Sequence, residues 1–277
     1  MPSTHLQLGL IGGNIAASQA PRLHRLSGRL CGLDVDYQLL IPQALGQRFD
    51  EVFEHCISSG FRGVNVTYPY KEYAFEQVQV ADPAVRAIKA VNTVLFNSTG
   101  AHGFNTDYSG FMAGYRNTFG DQPAGEVCLI GAGGVGKAVA FGLLDLGLAA
   151  LRIVERDLPK AEALAEALRS VRPELEVSAT ADYETGAREA DGLINCTPVG
   201  MVGYDGTPVP AELMRGAAWA FDAVYTPLDT LFLQNAEAAG LRIMSGYELF
   251  FYQGVKAFEF FCGYQVDESA LRRALAE

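Results

Sequence analysis

The stretch that most restricts how this chain can fold begins at Val127, Cys128, Leu129 and Ile130. It continues through Gly131, Ala132, Gly133, Gly134, Val135 and Gly136 into Lys137, Ala138, Val139 and Ala140. Four apolar residues are too few for a helix and read as a buried strand, after which the glycines turn the chain into an amphipathic helix. Gly131, Gly133 and Gly136 have the spacing of a dinucleotide-binding turn. The first glycine permits the tight turn, the second lets backbone approach a pyrophosphate, and the third lets the helix pack close to the strand. Phosphates would rest on the helix N-terminus, where unpaired N–H groups and the dipole favour anions. A glycine-rich turn that only packs a helix has the same look, so context decides. The following strand ends at Glu155, at the separation expected of an acid that binds the adenosine ribose. That carboxylate would accept hydrogen bonds from the ribose hydroxyls and repel a 2′-phosphate. Arg156 works in the opposite sense, since a guanidinium neutralises a 2′-phosphate and stacks on adenine, but it stands between Glu155 and Asp157. The expected cofactor is therefore NAD in preference to NADP.

Of the 277 residues, 49% are hydrophobic, enough for the cores of one large domain or two modest ones. The formal net charge is −11 and the Lys and Arg are scattered, which argues against a surface that tracks nucleic-acid phosphates. No apolar run reaches membrane-spanning length, and Met1, Pro2, Ser3, Thr4 and His5 lack the basic flank and apolar core of a signal peptide. A cytoplasmic protein with neither nucleic-acid nor membrane partners is expected. Cys31, Cys56, Cys128, Cys196 and Cys262 are odd in number and widely spaced, which suits small buried hydrophobes better than disulfides. No Cys/His cluster has zinc spacing, and no metal site is expected.

From the N-terminus, residues 6–11, 35–41 and 63–67 read as strands, with helices around 22–30 and 45–58 between them. That alternation predicts parallel strands with crossover helices. Residues 91–96 and 101–105 flank Asn97, Ser98, Thr99 and Gly100, whose turn chemistry predicts a hairpin at the sheet edge. A helical pattern through Phe111, Tyr115 and Phe119 leads to a turn-rich connector at 120–125 that reads as a domain boundary. A second series follows, with strands at 127–130, 151–155, 176–179, 192–196, 220–224 and 242–244. Its helix over 160–172 places Ala161, Leu164, Ala165, Leu168 and Val171 on one face. The whole is α/β, with the second series forming a doubly wound, Rossmann-type nucleotide domain. The aromatic-rich helix over 247–261 is too apolar to stand in solvent and is expected to pack back on the first domain.

Three polar residues outside the glycine turn carry two readings each. Lys71 closes the run Asn65, Val66, Thr67, Tyr68, Pro69, Tyr70, Lys71, with Pro69 near a first helical turn. A cation is disfavoured beside a helix N-terminus, so this lysine is oddly placed and suits proton exchange with a hydroxyl that becomes a ketone. The bland reading is an exposed lysine whose stem snorkels to water. Asp107, in Asn105, Thr106, Asp107, is either a carboxylate facing an interdomain cleft or a helix N-cap. Asn92, in Ala90, Val91, Asn92, Thr93, either holds a substrate hydroxyl or satisfies backbone.

Together these segments resemble the shikimate and quinate dehydrogenase family across nearly the whole chain. The matching motifs are those at 65–71, 90–93, 105–107 and 131–136, with Asn195, Cys196, Thr197, Pro198, then Asp222, Ala223, Val224, Tyr225, Thr226, Pro227, and finally Tyr252, Gln253, Gly254. The resemblance implies a substrate cleft between two domains, residues 1–107 with 246–277 for substrate and 108–245 for NAD. It implies that Lys71 takes the proton from the reacting hydroxyl while hydride passes to nicotinamide, and that Asp107 orients and supports it. Thr67, Asn92 and Gln253 would bind ring hydroxyls, Tyr225 would lie near the carboxylate end, and Thr197, Pro198 and Val224 would line the cofactor. The implied partner is a small cyclic hydroxy acid, the implied assembly a monomer or homodimer, and the implied reaction the interconversion of shikimate and 3-dehydroshikimate.

The first loop departs from the family. Two hydroxyls there bind the substrate carboxylate, but here Ser18 is kept, the second position is Ala20, and the loop is one residue short. Losing a hydrogen bond to a charged group, about 1.5–3 kcal/mol, weakens binding by about one to two orders of magnitude. The alternatives are weak activity on shikimate, or a quinate or amino-substituted substrate to which Gln19 or Arg22 contributes. His24 reads as a packing histidine. A nucleotide-binding sensor without turnover is the reading from a different class, and retention of both Lys71 and Asp107 argues against it.

Overall fold

The computed structural model describes residues 5–277, so Met1 to Thr4, part of the stretch assessed for a signal segment, lie outside the described residues. The chain divides into two compact units, one taking residues up to Thr106 together with Gln253–Glu277 and the other Asp107–Tyr252. No described helix is long and apolar enough to cross a membrane.

The first unit is built from β1 (His5–Ile11), α1 (Ala20–Leu30), β2 (Asp34–Leu40), α2 (Pro42–Leu45), α3 (Phe49–Ser58) and β3 (Gly63–Val66). α4 (Lys71–Phe75), α5 (Pro83–Ile88), β4 (Thr93–Asn97) and β5 (Gly100–Phe104) complete its continuous part. Its five-stranded sheet runs β2-β1-β3-β4-β5, with β1 parallel to both neighbours and β4 and β5 antiparallel. The hairpin falls at the sheet edge as its turn chemistry predicted, and Asn97 Oδ1 accepts from the Thr99 N–H at 2.8 Å. The single helix expected over 45–58 is two. Gly46 ends α2 with φ +65°, and α3 restarts behind a capping box in which Glu51 accepts from the Arg48 N–H at 2.7 Å. Ile11, Phe53, Val64, Val66 and Val94 close the core beneath the sheet.

α6 (Thr106–Phe119) opens the second unit, followed by β6 (Gly125–Ile130), α7 (Gly134–Leu143), β7 (Leu148–Val154), α8 (Leu158–Val171), β8 (Glu176–Thr180), α9 (Tyr183–Ala187) and β9 (Gly192–Asn195). A 3₁₀ turn at Ala211–Met214, β10 (Trp219–Asp222), α10 (Leu231–Ala238), β11 (Arg242–Met244), α11 (Gly246–Cys262) and α12 (Glu268–Ala276) complete the chain. The six-stranded sheet, all parallel, has the order β11-β10-β9-β6-β7-β8, the doubly wound arrangement whose winding reverses between β6 and β9. Cys128, Ile130, Leu193, Ala220 and Phe232 fill its core.

Four further expectations need correcting. The connector at 120–125 lies inside the second unit, because α6 packs there through Tyr115 and Phe119 against Trp219 and Phe111 against Phe221. Val171, assigned to the buried face of α8, is 54% exposed because it is the helix's last residue and overruns the apolar stripe formed by Ala161, Leu164, Ala165 and Leu168. Only Cys56 and Cys128 are buried, and burial pushes both thiols up to about 12; Cys31, Cys196 and Cys262 are half-buried. α11 is shared, since Gln253 onward belongs to the first unit, where Phe258 and Phe261 surround His24, while its earlier residues belong to the second.

Candidate active site

In the first unit the polar residues gather where parallel β1 and β3 end. The Thr67 N–H extends the ladder to Ile11 O at 2.9 Å, and the Tyr70 N–H turns back to Thr67 O at 2.9 Å. The chain passes a cis Tyr68–Pro69 bond and enters α4 at Lys71, so Pro69 precedes the helix rather than occupying its first turn. Stacking of Tyr70 on Phe49, centroids 5.2 Å apart, and the fully buried Ala74 fix this short helix. Lys71 is only 9% exposed, which rules out the snorkelling reading. α4 has five residues, too few for a strong macrodipole, so burial rather than the dipole makes this lysine unusual. Its carbonyl accepts from the Val91 N–H at 3.0 Å, which ties it to the segment before β4.

That segment carries Asn92, which is buried and bonded to backbone. Its Oδ1 accepts from the Thr106 N–H at 2.7 Å and its Nδ2 donates to Thr106 Oγ1 at 3.0 Å. The network extends through Asn65, whose Nδ2 donates to Thr93 Oγ1 at 3.0 Å and whose Oδ1 accepts from the Tyr37 hydroxyl at 2.8 Å. Asn65 stands in the motif at 65–71, but nothing in that run marks it as the hub that the fold makes it. Ser18 lies between β1 and α1, where its Oγ accepts from the Ala20 N–H at 3.2 Å. Ala20 is buried in the first turn of α1, and Gln19 is exposed. Arg22 is engaged elsewhere, donating to the carbonyls of Leu275 and Ala274 at 2.9 and 3.2 Å near the end of α12. Gln253 is half-buried in α11.

α6 begins at Thr106, so Asp107, the first residue of the second unit, lies in the first helical turn and not at the cap. It is buried, 6% exposed, and a carboxylate there is favoured by the helix N-terminus. Tyr225 is half-buried and stacks on Phe250 at 4.9 Å.

The glycine turn sits at the winding reversal. Gly131 has φ +100°, and a side chain on it would strike the Cys196 backbone at 2.9 Å; one on Gly136 would meet Gly131 O at 1.9 Å. Space in front of Gly133 is open to 4 Å, and α7 starts behind it with no side-chain cap. Open space before uncapped N–H groups is what a pyrophosphate requires, so the residues present fit a dinucleotide. Glu155, half-buried after β7, accepts from the Ala132 N–H at 3.0 Å and the Asp157 N–H at 3.2 Å, joining the strand end to the turn. Arg156 is exposed, and Asp157 pairs with Lys160 at 3.3 Å.

Across the reversal, Thr197 and Val224 follow β9 and β10, with Pro198 exposed beside Thr197. Asn195 and buried Asp222 hold them. Asn195 Oδ1 accepts from the Thr197 N–H and hydroxyl at 2.9 and 2.7 Å, and its Nδ2 donates to Asp222 Oδ1 at 2.9 Å. Burial pushes the Asp222 carboxyl up to about 6 despite hydrogen bonds from Thr230, Val224 and Asn195. Both residues stand in family-like motifs, but pairing between positions 27 apart has no sequence signal.

A doubly wound parallel sheet with this turn in one unit, and a buried lysine at the strand ends of an α/β unit in the other, define a two-unit protein of the dinucleotide-binding class. Residues 10–94 match the family model described as the shikimate dehydrogenase substrate binding domain, and residues 115–200 match that of shikimate / quinate 5-dehydrogenase. The chain is 35% identical to a shikimate dehydrogenase (NADP(+)) of Pseudarthrobacter chlorophenolicus over 98% of this chain and 94% of that one. It is 34% identical to a quinate/shikimate dehydrogenase (NAD(+)) of Corynebacterium efficiens, over 96% and 95%. Its structure is similar to that of quinate dehydrogenase from Corynebacterium glutamicum in complex with NAD, with a TM-score of 0.90 and 32% identity, covering 98% of this chain and 99% of that one. The chain belongs to the shikimate/quinate dehydrogenase family, whose members so named are oxidoreductases acting on a CH–OH group.

Proposed function

We infer that this protein interconverts a ring alcohol and ketone on a shikimate-type cyclic hydroxy acid, with shikimate and 3-dehydroshikimate as the pair and NAD as the preferred nucleotide. The observation that carries this reading is the burial of Lys71 at the ends of β1 and β3, beside Thr67 and the segment bearing Asn92. The first unit is the substrate domain and the second the nucleotide domain. In oxidation Lys71 Nζ takes the hydroxyl proton as the ring carbon gives up its hydride and the C–O bond becomes C=O; in reduction the lysine returns that proton. Bound nicotinamide supplies the hydride acceptor. Asp107 supports the lysine electrostatically. Thr67, Asn92 and Gln253 orient the ring hydroxyls, and Tyr225 lies toward the carboxylate end.

Ser18 Oγ already accepts from the Ala20 N–H, which leaves its proton for the substrate carboxylate. With Ala20 unable to add a second hydroxyl, affinity for shikimate is low, and quinate is the second substrate to weigh. The nucleotide domain holds its ligand through Gly131, Ala132, Gly133, Gly134 and Val135 at the phosphates, and through Thr197, Pro198 and Val224 further along. Glu155 and Arg156 meet the adenosine ribose. The preference for NAD rests on the Glu155 carboxylate, which the Ala132 N–H holds at the turn. Replacing the proton carrier tests the reading: Lys71→Met lowers kcat by about two to four orders of magnitude while the Kd for NADH stays within twofold. Near-normal turnover in that variant removes Lys71 from the chemistry.

A further inference from the structure

Beyond the residues expected to touch the cofactor, the second unit contains a buried polar chain that the proposed reaction does not use directly. Asp222, at the end of β10, is 0% exposed, and each of its three partners is a donor. Oδ1 accepts from Asn195 Nδ2 at 2.9 Å and from the Val224 N–H at 3.0 Å, and Oδ2 accepts from the Thr230 hydroxyl at 2.6 Å. Asn195 is also 0% exposed, and all of its hydrogen-bonding capacity is engaged. Its Nδ2 donates to Asp222 Oδ1 and to Val199 O at 3.0 Å, and its Oδ1 accepts from the Thr197 N–H and hydroxyl.

This arrangement has a direction. Because Oδ1 of Asp222 only accepts, the Asn195 amide is oriented with its NH₂ toward β10 and its oxygen toward Thr197. The Thr197 hydroxyl must then spend its single proton on Asn195, while its oxygen accepts from the Val199 N–H at 3.2 Å. The half-exposed Thr197 side chain is left with acceptor character only toward anything bound over the reversal. The same Oδ1 fixes Val224 directly through its N–H. One oxygen therefore sets both segments that lie on the far side of the reversal from Gly131.

We propose that Asp222 is a positioning residue for the nicotinamide nucleotide, acting through Asn195 on Thr197 and directly on Val224 to fix the backbone and hydrogen-bond polarity of the surface that receives the cofactor. The inference rests on the reading of the second unit as the nucleotide domain. What matters is the acceptor at Oδ1, not the charge. Burial raises this carboxyl to about 6, and a proton taken up at Oδ2 would face Thr230 and leave Oδ1 unchanged. Asparagine can present the same acceptor there.

The test is the Kd for NADH and for NADPH, followed by nucleotide fluorescence in the full chain, alongside the thermal midpoint of each variant. Asp222→Asn keeps Kd within about threefold of the wild type, whereas Asp222→Ala raises it about tenfold or more. Asn195→Asp, which keeps the shape but turns an acceptor toward Asp222, and Thr197→Val, at the accessible end, raise it as well and cover the case in which Asp222→Ala fails to fold. A network that only supports the fold lowers the thermal midpoint with unchanged Kd in the folded variants, and that result overturns the proposal. Nucleotide binding is read without turnover. Wild-type protein that binds neither nucleotide defeats the functional reading and this inference together, whereas unchanged Kd in Thr197→Val and Asn195→Asp defeats the inference alone.

Discussion

At position 24 an imidazole is sealed between rings: His24 is 1% exposed, stacks on Tyr37 at 4.7 Å, and is approached by Phe258 and Phe261. Burial lowers its pKa from 6.5 to about 3, so the folded protein keeps it neutral. The unfolded chain takes up a proton below pH 6.5 while the fold does not, so stability is lost as the pH falls from 6.5 toward 3. At pH 5 this amounts to about 2 kcal/mol. Its Nδ1 has no hydrogen-bond partner among the described residues, while a side-chain hydrogen bond with Asn65 partly opposes the shift, so an apolar ring removes the acid sensitivity and an unsatisfied atom but also that bond. His24→Phe should flatten the unfolding free energy between pH 6.5 and 4 in urea melts, with a pH-independent loss of about 1 kcal/mol from the missing Asn65 hydrogen bond. An unchanged slope shows that carboxylates elsewhere dominate acid unfolding. The packing role expected of this residue is the one the structure gives it.

Among the elements, the turn between β6 and α7 has the least tolerance. A methyl group on Gly136 would lie 1.9 Å from Gly131 O, which is backbone and moves only with the turn. Gly136→Ala should lower the unfolding free energy by about 1–3 kcal/mol in denaturant titrations, a measure independent of any ligand. Equal stability would mean that the third glycine is there for another reason. This element was legible in the sequence because its glycines answer local steric demands, and the strands were legible because apolar runs of fixed length record burial. Lys71 was harder: spacing suggested a full helix start, but a one-turn α4 formed after a cis bond, and only tertiary packing buries the lysine. Asp107 likewise could not be placed one residue inside α6 from composition, since Asn105, Thr106 and Asp107 all suit a helix start. The Asn65 and Asp222 networks were invisible because their members come from separate strands, and the polar residues involved carry no periodic signal.

For the molecule as a whole, two α/β units each bring their polar residues to the C-terminal ends of parallel strands, the position at which open α/β sheets bind ligands. The first unit carries Lys71, Thr67 and Asn92 there, and the second carries the glycine turn, Thr197 and Val224. Choice of nucleotide depends on a finer balance than net charge. Around the strand end Glu155 and Asp157 are matched by Arg156 and Lys160, so the local formal charges cancel, and the proposed preference for NAD rests on the Glu155 carboxylate, which accepts from the Ala132 N–H. An exposed pair such as Asp157 with Lys160 contributes little to stability. The most direct test of the account is the initial rate of the purified chain on shikimate and on quinate with NAD and with NADP. Oxidation of at least one of these acids is expected, with kcat/KM for NAD about tenfold or more above that for NADP, a difference of about 1.4 kcal/mol. A higher kcat/KM with NADP, or no oxidation of either acid with either nucleotide, would contradict it.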